Sequence, residues 1–348
     1  MKYSFKIGSA WGIPIELHIT FILLIVAVFA LSYPDLYFFY LILFLFVFVV
    51  LHELSHSLVA RHYNIKVRKI VLYPIGGVSE IEEIPEKPSV EWRMAIAGPL
   101  TSFTIGLVLF GIYAVFPTTA SFETVGSFVY NLALLNVILG AFNLIPAFPM
   151  DGGRVFRALL AERMKFSDAT KYAAYIGRIL GIFMAVFGIV YSFWLIIIGV
   201  FIYIGASEEA EATIVSTTLA RVRVRDVLHP EVAAVKPETT LSEALDVMFK
   251  ARYHDALVEK DGVLQGVVVW KEIMKVKPEQ RSTLTVEQMP LKKISTFSDE
   301  SILEAYKIMT REKIDLVPVV ERENPEKIVG VVTSESVAYA YEKAKALR

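Results

Sequence analysis

The chain has 348 residues, is 55% hydrophobic and 20% charged, and carries a formal net charge of -1. Its apolar content excludes a disordered chain, and its near-zero charge gives no basis for a nucleic-acid partner. With no cysteine, disulfides, thiolate metal sites and a cysteine nucleophile are excluded, so any metal must sit on His, Asp or Glu.

The charges are unevenly spread: 26 fall in residues 1–206 and 45 in residues 207–348. The chain therefore reads as a membrane-like front part followed by a soluble tail. Apolar runs of roughly 20 residues cross a bilayer as helices. Leu17–Tyr33 is the first such run. No small-residue cleavage site follows a short apolar core, so it reads as a retained span rather than a signal peptide. Tyr37–Ala60 is the second run. Ile65–Glu83 alternates like a strand, then turns at Pro74 and Gly76-Gly77, and predicts a short strand pair at the membrane face. Ala95–Phe116 and Val125–Ile145 are the third and fourth runs. Tyr172–Ala206 would make about 50 Å of helix, too long for one crossing. It predicts two short spans meeting near Ser192.

Lys and Arg cluster before the first run (Lys2, Lys6), after the second (Arg61, Lys66, Arg68, Lys69) and after the fourth (Arg154 through Arg178). The alternate loops have none. The positive-inside rule then predicts six spans with both termini and the tail in the cytosol.

The second run ends in Leu51-His52-Glu53-Leu54-Ser55-His56-Ser57, an H-E-x-x-H pattern. Residues four apart share a helix face, so His52 and His56 can hold one ion, and neutral imidazoles suit zinc. Glu53 stands beside them, placed to take a proton from water. Arg61 lies nine residues further on, which puts His52 about 13 Å inside the span. Ionisable groups at that depth are costly and mark function. His62, near the interface, needs no such role. A third ligand should come from another helix. Asn143 through Gly153 (N-L-I-P-A-F-P-M-D-G-G) closes the fourth run. Asp151 there reads equally well as a ligand or as the N-cap of a helix over Arg154–Glu162.

Together, H-E-x-x-H inside a span and N-x-x-P-x-x-P-x-D-G-G after a later one resemble the site-2 protease family of intramembrane zinc metalloproteases. Gly12-Ile13-Pro14-Ile15-Glu16-Leu17-His18, Pro74-Ile75-Gly76-Gly77 and Ala97-Gly98-Pro99 extend the likeness over nearly all of residues 1–206. By this resemblance His52, His56 and Asp151 are the zinc ligands and Glu53 is the general base. Asn143 is expected to hydrogen-bond substrate, or else to satisfy the broken helix end at Pro146. An edge near Val71–Val78 is expected to bind an unwound substrate by strand addition, with Gly76 and Gly77 permitting close approach. Gly98-Pro99 reads as a helix start and a site of close packing. His18, beside Glu16 in an otherwise apolar start, reads as an interfacial hydrogen-bonding group.

The tail repeats itself. Lys236–Met248 aligns with Phe297–Met309, and Gly266–Val269 with Gly330–Thr333. Each copy reads as strand, capped helix, two strands and a closing helix; Thr239 or Thr240 caps the helix over Leu241–Lys250, and Asp261-Gly262 turns a hairpin. This resembles a tandem pair of CBS (cystathionine-β-synthase-type) domains, which implies an adenosine nucleotide in the clefts or a dimerisation role. Nucleotide-binding copies often carry G-h-h-T-x-x-D. Here copy one has Val269 and Glu272 at those places, and copy two has Thr333 and Ser336. Thr333 and Glu272 are the nucleotide-binding candidates.

The expected architecture is a polytopic α-helical membrane protein with about six spans and a short membrane-associated β region, plus an α/β tandem CBS pair. The expected divisions are 1–206 (protease), 207–220 (linker), 221–280 and 281–348 (CBS copies). The expected function is an intramembrane zinc metalloprotease in the cell membrane. It would cut single-span membrane proteins, bind one zinc per chain, and be regulated by a cytosolic CBS pair that can form a homodimer. The alternatives are a CBS-gated channel or transporter and a non-catalytic membrane scaffold. A channel would spread polar residues along several spans, whereas this chain concentrates them in two motifs.

Overall fold

Strand-forming residues open the chain, before any helix. In a computed structural model that describes residues 3–81, 87–115, 123–230, 233–325 and 327–346, Ser4–Ala10 forms β1 and Ile13–His18 forms β2. They pair as an antiparallel hairpin, turned by Trp11 and Gly12, both at positive φ. Val67–Tyr73 (β3) and Gly76–Ile81 (β4) form the expected pair. β2 joins β3 in parallel, so the strand order is β1-β2-β3-β4. The expected pair is therefore half of a four-stranded sheet, and its outer edge belongs to β4 alone, with β3 internal.

The sheet takes Leu17 and His18 away from the first apolar run. Helix α1 is only Ile19–Ser32, 14 residues, or about 21 Å. His18 caps it, its Nδ1 accepting from the Thr20 N–H at 3.4 Å. The longer apolar helices are α2 (Tyr37–His62), α3 (Pro88–Val115), α4 (Glu123–Asn143), α6 (Phe166–Tyr191) and α7 (Phe193–Leu219), with the short amphipathic α5 (Asp151–Ala161) between α4 and α6. Among the described residues, then, five helices are long and apolar enough to cross a membrane, with α1 as a shorter sixth.

Two helix boundaries differ from expectation. α3 begins at Pro88, where proline fits a first turn, and Gly98-Pro99 lies inside it rather than at its start. α6 and α7 do break at Ser192, but they are 26 and 27 residues long, not short. α7 continues to Leu219, so the expected linker over 207–220 is mostly helical.

The chain packs as two compact units that divide between residues 211 and 212. In the first unit, small residues bring helices together. Gly106 of α3 packs on Ala133 and Val137 of α4, and Gly181 of α6 on Gly199 and Tyr203 of α7. In the second unit each copy builds a three-stranded sheet. Ala234–Val235 (β5), Asp255–Lys260 (β6) and Val263–Val269 (β7) form one, in order β5-β6-β7. Thr296–Phe297 (β8), Leu316–Val320 (β9) and Ile328–Thr333 (β10) form the other, in order β10-β9-β8. The helices are α8 (Leu241–Ala251), α9 (Trp270–Ile273), α10 (Ile302–Glu312) and α11 (Ser334–Ala346). Thr240, not Thr239, caps α8, in a reciprocal capping box with Glu243. Leu257 and Val267 of one sheet and Leu316 and Val331 of the other share one buried cluster. Across the same seam, buried Asp255 accepts the Asp315 N–H at 2.7 Å. Burial raises the Asp255 pKa, opposed by this bond and one from the Trp270 N–H. Leu219, at the end of α7, is buried in the core of the second copy.

Candidate metal centre and active site

α2 carries His52 and His56 on its buried side, both under 9% exposed, with the half-buried Glu53 next to His52. The third group arrives on α5. After α4 ends at Asn143, Pro146 and Pro149 prevent a helix through residues 144–149. Gly152 and Gly153 then let the new helix start directly against this irregular segment. A Cβ on Gly152 would overlap the Leu144 and Ile145 carbonyls, and one on Gly153 would meet the Ala147–Phe148 backbone. Met150 is the N-cap of α5 and Asp151 its first residue. The Asp151 carboxylate does not cap the helix; it reaches the histidines.

His52 Nε2, His56 Nε2 and Asp151 Oδ2 lie 3.2 Å from one another in all three pairs. They form the one such cluster among the described residues. The distal nitrogens have fixed partners. His56 Nδ1 donates to the Met94 carbonyl at 2.7 Å, which leaves Nε2 as a lone pair in the neutral ring. His52 Nδ1 meets Ser102 Oγ at 2.9 Å. Three acceptor atoms this close repel one another, and a cation between them removes the repulsion. Two imidazoles oriented by outer partners plus one carboxylate fit zinc with a position left open.

Glu53 sits beside this cluster and is held by β4. Ser79 Oγ donates to Glu53 Oε2 at 2.8 Å. A Cβ on Gly77 would overlap Glu53 Cγ, and one on Gly98 would overlap His52 and His56 Nε2. Gly98 is thus a packing position, as expected, and a demanding one.

Two cavities meet at these residues, sharing Glu53, Gly77, Val78, Pro149 and Asp151 in their walls. One, of about 920 Å³, is lined by apolar side chains such as Leu45, Phe46 and Phe142, and also by Gly76, Asn143 and His18. The other, of about 200 Å³, is lined by polar groups including Ser79, Glu91 and Arg154. Asn143 does reach the large cavity, but its Nδ2 donates to Leu139 O at 3.0 Å within its own helix.

The positive cluster after the fourth run includes a buried member. Arg157 of α5 is 5% exposed. Its Nε donates to Glu91 Oε1 of α3 at 2.8 Å, its Nη1 to Glu209 Oε1 of α7 at 2.5 Å, and it packs over the Phe148 and Phe166 rings. This fastens the helix that carries Asp151. Ser79, Ser102 and Arg157 had no motif to announce them; their roles exist only through contacts distant in sequence. In the tail, Thr333 is buried with its hydroxyl engaged by Ser336 at the start of α11, and Glu272 faces Lys275.

The family model for peptidase family M50 matches residues 40–127 and 111–184, and the CBS domain model matches 224–279 and 286–343. The zinc metalloprotease MJ0392 of Methanocaldococcus jannaschii is 43% identical over 271 residues, covering 77% of this chain and 78% of that protein. A solved site-2 protease from the same organism is 46% identical, with a TM-score of 0.47, covering 60% of this chain and 95% of that one. The channel and scaffold alternatives find no support in these relatives. The chain belongs to peptidase family M50, the site-2 protease family, as a membrane zinc metalloendopeptidase with a tandem CBS pair behind its protease part.

Proposed function

We propose that His52, His56 and Asp151 hold the zinc ion and that Glu53 is the general base for cleavage of single-span membrane proteins. The observation that carries this reading is the convergence of three ligand atoms, 3.2 Å apart, beside the Glu53 carboxylate. Zinc at this position supplies Lewis acidity, making water a better nucleophile near neutral pH and polarising a peptide carbonyl. Glu53 takes the proton of the attacking water and passes it to the leaving amine nitrogen. Asn143 lines the cavity with its Nδ2 donating to Leu139 O, and we assign its remaining amide hydrogen and carbonyl oxygen to the substrate backbone.

A substrate helix has its peptide groups paired internally, so it must unwind before a carbonyl is accessible. Among the described residues β4 has one sheet neighbour, β3. Its outer edge can therefore accept an extended segment by strand addition. Gly76 and Gly77 keep that edge open beside the large apolar cavity, which suits the hydrophobic residues of a membrane span. The Lys and Arg distribution supports cytosolic termini and a cytosolic CBS pair. The pair regulates the protease, and we assign it an adenosine nucleotide as ligand and a homodimer contact, with Thr333 and Glu272 near the nucleotide. Titrating the full-length protein with ATP, ADP and AMP while following its thermal unfolding tests the nucleotide; no shift with any of them removes it.

The site itself is tested by bound zinc and cleavage in Glu53→Gln and Asp151→Ala. Glu53→Gln should keep zinc and lose cleavage. Asp151→Ala should lose both. Cleavage by Glu53→Gln at the wild-type rate would overturn the assignment.

A further inference from the structure

Ser79 belongs to no metal-ligand set, yet its hydroxyl meets the Glu53 side chain. Ser79 Oγ lies 2.8 Å from Glu53 Oε2 and 3.3 Å from the Glu53 carbonyl oxygen. Ser57, one helical turn beyond Glu53, donates its hydroxyl to Ser79 Oγ at 3.2 Å. Ser57 is fully buried, so its hydroxyl must find a protein partner. A carboxylate only accepts, so the donors run from Ser57 to Ser79 to Glu53.

The strand geometry adds a second constraint. Residues two apart on a strand face the same way. Gly77 and Ser79 both face Glu53: Gly77 packs its backbone against Cγ, and Ser79 bonds the carboxylate. One side of β4 thus fixes the glutamate, while its outer edge has no partner strand among the described residues. Glutamate has three side-chain torsions, and α2 alone does not restrain them.

We propose that Ser79 is a positioning residue for Glu53, and that β4 uses it to set the base relative to a substrate paired on the same strand. This rests on the reading of Glu53 as the general base. When one rigid strand holds both partners of a proton transfer, their separation is set by backbone geometry rather than by two independent elements. The effect belongs to the chemical step. Substrate affinity comes from the β4 edge and the apolar cavity, which the Ser79 hydroxyl leaves unchanged.

The test uses the full-length protein in proteoliposomes with one single-span substrate, measuring kcat, KM and bound zinc. Ser79→Ala should lower kcat roughly 10- to 100-fold, with KM within about twofold and zinc unchanged. Ser79→Thr keeps the hydroxyl on a strand-favouring residue and should restore kcat to within about fivefold of wild type. Ser57→Ala should give a smaller loss of kcat in the same direction. An unchanged kcat in Ser79→Ala, equal losses in Ser79→Ala and Ser79→Thr, or a loss confined to KM would each overturn the proposal. The base reading fails separately, by cleavage in Glu53→Gln.

Discussion

Gly98 of α3 approaches His56 of α2 so closely that a β-carbon on residue 98 would overlap the imidazole Nε2 atom. The same carbon would overlap His52 Nε2. Gly98→Ala must therefore push the Nε2 atoms of both histidines, the proposed zinc ligands, off their positions. Displaced or misoriented ligands typically cost about 10- to 100-fold in metal affinity. Bound zinc in the purified variant should fall, with cleavage falling in parallel. Full zinc occupancy at limiting metal would contradict the close packing.

Gly77→Ala should separate the two halves of the site. Its new β-carbon would overlap Glu53 Cγ, and the three atoms nearest to it all belong to Glu53. Cleavage should drop by roughly 10-fold or more, because a misplaced base loses most of its general-base contribution. Bound zinc should stay at the wild-type level. Loss of zinc together with activity would show that β4 also supports the histidines.

Arg157→Met should be severely destabilising. It would leave Glu91, which is 1% exposed, without its guanidinium partner. Breaking a buried pair from one side costs about 3–5 kcal/mol, because the remaining charge is uncompensated. The thermal unfolding midpoint in detergent should fall clearly. Adding Glu91→Gln to Arg157→Met should recover part of the loss. A double variant less stable than the single would refute this account.

Acid should weaken the β-sheet through Glu16. Its Oε2 accepts from Lys69 Nζ at 2.7 Å and from Ser4 Oγ at 2.5 Å. The Lys69 contact, helped by Ser4, lowers its pKa below the ordinary 4.5. A carboxyl with a depressed folded-state pKa contributes stability above its unfolded pKa and loses it as pH falls through the folded one. The contribution of this partly exposed pair is about 1 kcal/mol or less. Stability should thus decline as the pH falls below about 4.5. Glu16→Gln should be less stable near neutral pH and show a flatter acid limb in thermal unfolding. An identical acid limb in both proteins would remove Glu16 as a source.

Much of this molecule is legible in its sequence. His52 and His56 could be read because residues four apart share one helix face, with Glu53 beside them in sequence. Asp151 was legible only as an alternative, since a carboxylate before a helix also suits an N-cap; its direction depends on where α5 lies against α2. The break at Ser192 followed from helix length against bilayer thickness. The hairpin of β1 and β2 was not legible, because Leu17 continues the apolar run that becomes α1. Hydropathy cannot distinguish a residue in a sheet at a membrane surface from one in a span. Ser79 and Ser102 were invisible for another reason: serine is common, and its importance here lies in which atom it meets.

Sequence by itself determined the materials and the chemistry. Apolar runs of span length without charge point to membrane helices, and within such a run two imidazoles four residues apart lie on one helix face with a carboxylate beside them. Tertiary structure decided the rest. It brought Asp151 across 95 residues of chain to His56, set β4 against Glu53, and buried Arg157 between Glu91 and Glu209. Those outcomes depend on how helices and strands pack, and packing distances are properties of pairs of elements that no single segment encodes.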